Sequence, residues 1–293
     1  MAVEKTKNNK IKSFIKRLLS GIVLLALLFS VLYIGGNLLL VTLIALSICG
    51  LIELFHVFDL KKSGLSFIAY VFVIYYYITI AFFQKNSILL FLIVLLLLLL
   101  MIYVLTYPQY NIKEVALTYF SIIYVAVTFS FIYLIRMIPG DGVYYVWLIF
   151  IASWGSDTCA YCTGMLFGKH KLSKVLSPNK TIEGLIGGII GAGLLGFLYA
   201  YIMNIANINI NLPFLKNSIY ISRDLPLSSI QIGIACAIGS VISTLGDLTA
   251  SAIKRDYNVK DYGNIIPGHG GILDRFDSVI FTAPALYIVL ILL

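Results

Sequence analysis

Runs of about twenty apolar residues recur along this chain, and no other feature limits its fold as strongly. The stretch from Ile88 to Ile102 holds no polar side chain at all. Lipid offers a backbone N–H or C=O no partner, so a segment at that depth satisfies its own groups as a helix or joins a closed barrel. Runs of this length suit helices, because a barrel strand needs only about 9–11 residues. Across 293 residues, 60% hydrophobic and 12% charged, the apolar content exceeds what a soluble core would bury. The sequence therefore predicts an all-α integral membrane protein, a polytopic bundle of about nine transmembrane helices with cytoplasmic catalytic loops. The expected spans lie near 18–35, 37–58, 65–83, 87–106, 115–138, 143–165, 183–206, 229–253 and 275–293. Pro108, Pro139, Pro178, Pro213, Pro226 and Pro267 all fall between these spans. Only Pro284 lies inside one, where it predicts a kink.

Basic residues orient the bundle. The first 17 residues read as a basic cytoplasmic tail before a retained span, since no small-residue cleavage site follows. With that tail inside, Lys61, Lys62, Lys113, the Lys169–Lys180 loop and the Lys254–Arg275 segment are also cytoplasmic. Only four of the 21 Lys and Arg residues, Lys85, Arg136, Lys216 and Arg223, remain outside. This bias obeys the positive-inside rule. The net charge of +8 has the same origin, and it suits a surface of anionic lipid. A nucleic-acid role is set aside because no basic soluble module exists to carry it. Residues 18–114 read as an N-terminal scaffold almost without chemistry, and 115–293 as the catalytic region.

One polar stretch stands out within this apolar chain. From Ser243 to Ser278 it holds five Asp, two Lys, two Arg and a His around a Pro-Gly-His-Gly-Gly turn. Asp247, Ser251 and Lys254 share a helical face, and Asp274 and Asp277 lie three apart at the start of a new apolar helix. Mg²⁺ takes a few hard oxygen ligands and keeps waters for a phosphate to replace, so Asp247, Asp274 and Asp277 form a candidate metal set. Lys254, Arg255, Lys260 and Arg275 suit phosphates, the arginines by bidentate bonds and the lysines as point charges. Backbone N–H groups of the glycine loop and of the next helix's first turn are expected to face an anion.

These residues also carry a resemblance. Ser251-x-Ile253-Lys254-Arg255-x₄-Lys260-Asp261, Gly263, Pro267-x-His269-Gly270-Gly271 and Asp274-Arg275-Phe276-Asp277 are similar to the signature of the phosphatidate cytidylyltransferase, or CDP-diacylglycerol synthase, family. The resemblance implies transfer of CMP from CTP to phosphatidic acid, giving CDP-diacylglycerol and pyrophosphate with Mg²⁺. It places Asp274, Asp277, Lys254 and Arg275 in catalysis, beside Asp247 from the candidate metal set, and Ser251, Arg255, Lys260, Asp261, His269, Gly270 and Gly271 in substrate binding. A second, looser likeness covers Ser156-Asp157-Thr158-x-Ala160-Tyr161 and Ser177-Pro178-x-Lys180-Thr181-x-Glu183-Gly184, adding Asp157, Lys180 and Glu183, while Lys169 in the basic loop between them reads either as a phosphate contact or as an ordinary cytoplasmic flank. Asp157 falls within a span, and such a charge needs a compensating partner. The resemblance also implies a homodimer, and the expected location is a bacterial inner (plasma) membrane, with N-terminus and active site cytoplasmic by the bias of basic residues.

Other features read as packing. Gly184, Gly187, Gly188, Gly191, Gly193 and Gly196 form small-residue faces for close helix contact. Cys159-Ala-Tyr-Cys162 has a redox spacing, yet all four cysteines sit in apolar stretches as small hydrophobes. Glu53 and His56, at the end of the second span, read as packing or a satisfied hydrogen bond. Two rival functions remain: a CTP-dependent membrane lipid kinase, and an ion-coupled transporter using Asp157 and Asp247. If the three Asp residues crowd one metal, Asn at 247, 274 or 277 is expected to lower turnover at least ~100-fold, and without metal these variants are expected to be no less heat-stable than the parent, because each change removes a repulsion.

Overall fold

A computed structural model of the chain describes residues 21, 23, 25–60, 63–83, 87–173, 176–205, 209–210, 219–220, 227–265 and 270–293. Helices dominate, as the apolar periodicity requires. Seven are long and apolar enough to cross a membrane: Gly36–Val57, Gly64–Phe82, Ile88–Leu105, Ile112–Arg136, Ile182–Asn204, Ser229–Asp256 and Leu273–Leu292. A shorter apolar helix, Leu25–Ile34, precedes them. The expected sixth span is helical in three contiguous pieces, Gly142–Phe150, a π-helical turn Ile151–Gly155 and Ser156–Phe167. It is less apolar than the rest because Asp157 and several hydroxyl and glycine residues interrupt it. Among the described residues the count of long apolar spans is seven, where the sequence predicts about nine across the whole chain. Asn209–Ile210 and Ile219–Tyr220 form a minimal antiparallel pair, Asn209 opposite Tyr220.

The chain divides into two compact units, and the cuts fall inside helices. Met1–Tyr133 with Ala252–Asp277 make the first, Leu134–Ser251 with Ser278–Leu293 the second. In the first unit the core gathers Leu51, Leu54, Phe55, Leu65, Val73, Leu95, Leu99 and Val125. A polar seam runs through it. Ser47 and Tyr77 hydroxyls bond at 2.9 Å, the Tyr77 O–H donates to the Ala126 carbonyl at 3.1 Å, and Tyr76 pairs with Ser130 at 2.9 Å. These bonds cluster around a π-helical turn, Ile122–Val127, whose wider winding breaks the α ladder. Thr128 Oγ1 also donates to the Tyr124 carbonyl there, at 2.6 Å. With no water at such depth, these hydroxyls supply partners for the carbonyls of the turn. The Ile112 helix begins with a capping box, Asn111 and Glu114 each accepting the other's backbone N–H.

In the second unit the glycine-rich helix Ile182–Ile205 works as its pattern predicts. A Cβ on Gly187 would collide with Thr163, and one on Gly191 would lie 2.5 Å from Cys159 Sγ. Farther along, a Cβ on Gly196 would lie 2.5 Å from Cys236 Sγ. The helix therefore lies close against Ser156–Phe167 on one face and Ser229–Asp256 on another. Cys159 and Cys236 act as small packing groups, and all four cysteines are free. Ser156 and Ser240 hydroxyls, both buried, bond at 2.6 Å.

Candidate functional site

The signature segment folds within the first unit around Asp274. This carboxylate stands in the first turn of the Leu273–Leu292 helix, with 6% of its side chain exposed. Oδ1 accepts from Lys254 Nζ at 2.9 Å, and Oδ2 accepts the backbone N–H of Tyr262 at 2.8 Å and of Gly271 at 3.0 Å. Lys254 is 13% exposed and lies 5.3 Å above the Tyr262 ring. Burial pushes the Tyr262 hydroxyl well above the usual tyrosine range, with nearby Tyr124, Asp274 and Asp277 adding to the shift. Phe276 anchors the segment in the core by packing edge-on against Phe129, ring centroids 5.6 Å apart. Arg255, Lys260, Asp261 and Arg275 are exposed, whereas Asp277 and Gly270 are half-buried.

Gly270 has φ +86°, a left-handed conformation that only glycine adopts without strain. The amides that follow it are occupied by the protein's own carboxylates. Gly271 N–H goes to Asp274, while Ile272 and Leu273 donate to Glu53 Oε1 and Oε2, both at 2.9 Å. This corrects the expectation that this helix start faces a substrate anion. His269 lies outside the described residues, as do Pro267 and Gly268.

The second unit holds a separate cluster. Lys180 Nζ lies 2.6 Å from Asp247 Oδ2 and 3.9 Å from Asp157 Oδ1, so Asp157 has a cation close by. The three line a cavity of about 530 Å³, together with Tyr161, Ser177, Asn179, Thr181, Thr244 and apolar Met165, Leu172 and Leu185. Backbone bonds shape the loop that carries Lys180. Leu172 N–H reaches the Lys180 carbonyl at 3.0 Å, and Ile182 N–H reaches the His170 carbonyl at 2.9 Å. Glu183 clamps the same loop, accepting from Lys169 N–H at 3.1 Å and meeting His170 Nδ1 at 2.6 Å. Its carboxylate is thus engaged by the loop, and Lys169 contributes its backbone while its side chain is exposed. Ser251 is half-buried, one turn beyond Asp247 on the Ser229–Asp256 helix.

Among the described residues, no three His, Cys, Asp or Glu side chains converge as the ligands of a preformed metal cage. Carboxylate oxygens are nonetheless the right donors for Mg²⁺, which needs one or two of them when substrate phosphates complete its shell. Two residues outside the expected set stand out. Tyr262 falls in a variable position of the signature, and nothing in its local pattern marks it. Glu53 had a visible signal, being the one carboxylate in an otherwise apolar span.

Residues 15–293 match a family described as the cytidylyltransferase family. The chain belongs to that family. A phosphatidate cytidylyltransferase of Staphylococcus haemolyticus (strain JCSC1435) is 40% identical over 188 residues, which is 64% of this chain and 64% of the relative. The same name is carried by a Staphylococcus aureus (strain COL) protein, 38% identical over an equal stretch. The chain therefore spans less than two thirds of the length of these family members. A Bacillus subtilis (strain 168) phosphatidate cytidylyltransferase is 35% identical over 283 residues, covering 94% of this chain and 97% of the relative.

Proposed function

We propose that this chain is a phosphatidate cytidylyltransferase, transferring CMP from CTP to phosphatidic acid to give CDP-diacylglycerol and pyrophosphate. The near end-to-end likeness to the Bacillus subtilis relative of that name carries the reading. The geometry supports it by giving the signature residues a built environment. In the proposed reaction a phosphate oxygen of phosphatidate attacks the α-phosphorus of CTP in line, a new P–O bond forms, and the α–β anhydride breaks to release pyrophosphate. The attacking oxygen is already anionic at neutral pH, so little proton transfer is needed. Catalysis then rests on positioning and on neutralising charge.

Lys180 is proposed to meet a phosphate in its cavity, where Asp247 and Asp157 hold it in place. Arg255, Lys260 and Arg275 are the exposed cations offered to the remaining phosphates. Lys254 has a different task, since it is buried against Asp274 and fixes that carboxylate. Mg²⁺ is proposed to arrive with the nucleotide, taking one or two carboxylates as ligands, with Asp274 and Asp277 the candidates in the first unit and Asp247 the candidate in the second. Bound there, it would neutralise phosphate charge as a Lewis acid. The proposal also holds the N-terminus and both clusters on the cytoplasmic side, in a bacterial plasma membrane.

The test is purified protein in detergent with labelled CTP, phosphatidic acid and Mg²⁺. CDP-diacylglycerol and pyrophosphate are expected, activity should vanish on chelation, and added pyrophosphate should drive the reaction backwards because one anhydride replaces another. CDP with a phosphorylated lipid would instead identify a kinase.

A further inference from the structure

We propose that Glu53 is the positioning residue of the signature segment, and that Gly263 and Gly271 are glycines because they must lie against its carboxylate. Glu53 is 3% exposed near the end of the Gly36–Val57 helix. Its two oxygens separately accept the N–H groups of Ile272 and Leu273, each at 2.9 Å. Amides at a helix start have no acceptor within the helix, and the dipole there favours an anion. A carboxylate from a distant helix thus fills the cap of the helix that bears Asp274. The residue after Leu273 is Asp274 itself, so the backbone that Glu53 grips is the backbone from which Asp274 reaches Lys254.

The glycines fit this account. A Cβ on Gly271 would lie 2.6 Å from both Glu53 carboxylate oxygens, and one on Gly263 would lie 2.8 Å from Oε1 and 2.9 Å from Cγ. Neither residue has the left-handed φ that would itself demand glycine. Gly50, one turn before Glu53, permits the approach from the other side, since a Cβ there would lie 2.9 Å from Val125 Cγ1 and 3.1 Å from Leu273 Cδ2.

Two measurements test the proposal, and only their activity readouts rest on the cytidylyltransferase reading. Glu53→Gln preserves volume but sets an amide NH₂ against one of the two backbone donors. Hydrogen exchange of the peptide spanning 270–276 should therefore quicken, while peptides from the Gly64–Phe83 helix keep the parent's rates. Per folded molecule, kcat should fall about 100-fold with KM for CTP little changed, the scale expected when a reacting group is misplaced by an ångström or so. In the second measurement Gly271→Ala is made in the parent and in Glu53→Ala. If the glycine serves the carboxylate, the double variant matches Glu53→Ala within about twofold in activity and in melting behaviour. Losses that multiply would overturn the glycine assignment, and unchanged exchange at 270–276 in Glu53→Gln would overturn the positioning role. Should Glu53→Ala fail to insert, the exchange result on Glu53→Gln decides. A parent that transfers no CMP would refute the proposed reaction alone, because exchange and melting still report on Glu53.

Discussion

Lys254 and Lys180 look alike in the sequence, each a lysine among signature residues, but burial gives them opposite roles. The Lys254–Asp274 pair has side chains 13% and 6% exposed, so deleting either charge strands the other in a poorly solvated place. Breaking such a pair costs about 3–5 kcal/mol. Lys254→Met and Asp274→Asn should each lower the melting temperature in detergent by several degrees, and the double variant should recover most of the loss. This reverses, for Asp274, the expectation that neutralising it leaves heat stability intact. That expectation assumed carboxylates crowding without a cation, whereas the fold supplies Lys254 and two backbone donors. The Lys180–Asp247 pair is different, with side chains 30% and 25% exposed. Ion pairs in such solvated settings contribute about 0–1 kcal/mol. Lys180→Met should lower the melting temperature less than Lys254→Met does, because it leaves Asp247 and Asp157 in better-solvated places, while lowering CMP transfer ~100-fold, as loss of one strong transition-state contact does. Near-parental transfer would remove the cavity from the active site. The residue types were legible in the sequence, and so was their clustering along the chain. Which carboxylate each lysine meets was not, because that depends on contacts between residues far apart in the chain.

At the scale of elements, apolar runs marked the long helices because hydrophobic length is a local property. The π-helical turns at Ile122–Val127 and Ile151–Gly155 left no comparable trace. At the first of them a hydroxyl from another helix, that of Tyr77, donates to the Ala126 carbonyl. The glycine stripe of Ile182–Ile205 was legible as a packing face, and the structure assigns each glycine its neighbour. A Cβ on Gly191 would press on Cys159 Cβ and Sγ at 2.5 Å, whereas one on Gly193 would meet Gly233 O at 3.4 Å and Ala237 Cβ at 3.5 Å. Gly191→Ala should therefore destabilise by about 1–3 kcal/mol through overpacking. Gly193→Ala fits at ordinary contact distance and gains helix propensity of up to about 1 kcal/mol. Thermal melts of the two variants should move in opposite directions, or the second should not move. Equal losses would mean that the stripe tolerates no side chain anywhere and that position-by-position fit is irrelevant.

For the whole molecule, the helical membrane class came from composition, but the division into two units did not, since its cuts fall inside helices that read as uninterrupted in sequence. The number of crossings turns on Gly142–Phe167. It is long enough for a ~30 Å hydrocarbon core, yet it carries Asp157 and does not count among the long apolar helices. Two observations argue that it crosses. Asp157 has Lys180 as partner, which lowers the penalty of a charge at depth. Lys113 and Lys171 flank the pair of helices Ile112–Arg136 and Gly142–Phe167, and basic residues are retained on the cytoplasmic side. If both helices cross, the two lysines lie on the same side; if only the first crosses, they lie on opposite sides. Single cysteines at Lys113, Lys171 and Asn264, all exposed positions, should therefore react with an impermeant thiol reagent only when the cytoplasmic face is open to it, in a background whose native cysteines are replaced. A reporter fused after Leu293 should lie on the opposite face. Labelling of Lys113 and Lys171 from opposite sides would turn Gly142–Phe167 into a re-entrant or interfacial segment. Labelling of Lys171 and Asn264 from opposite sides would end the reading in which the Lys180 loop and the signature segment serve one cytoplasmic reaction.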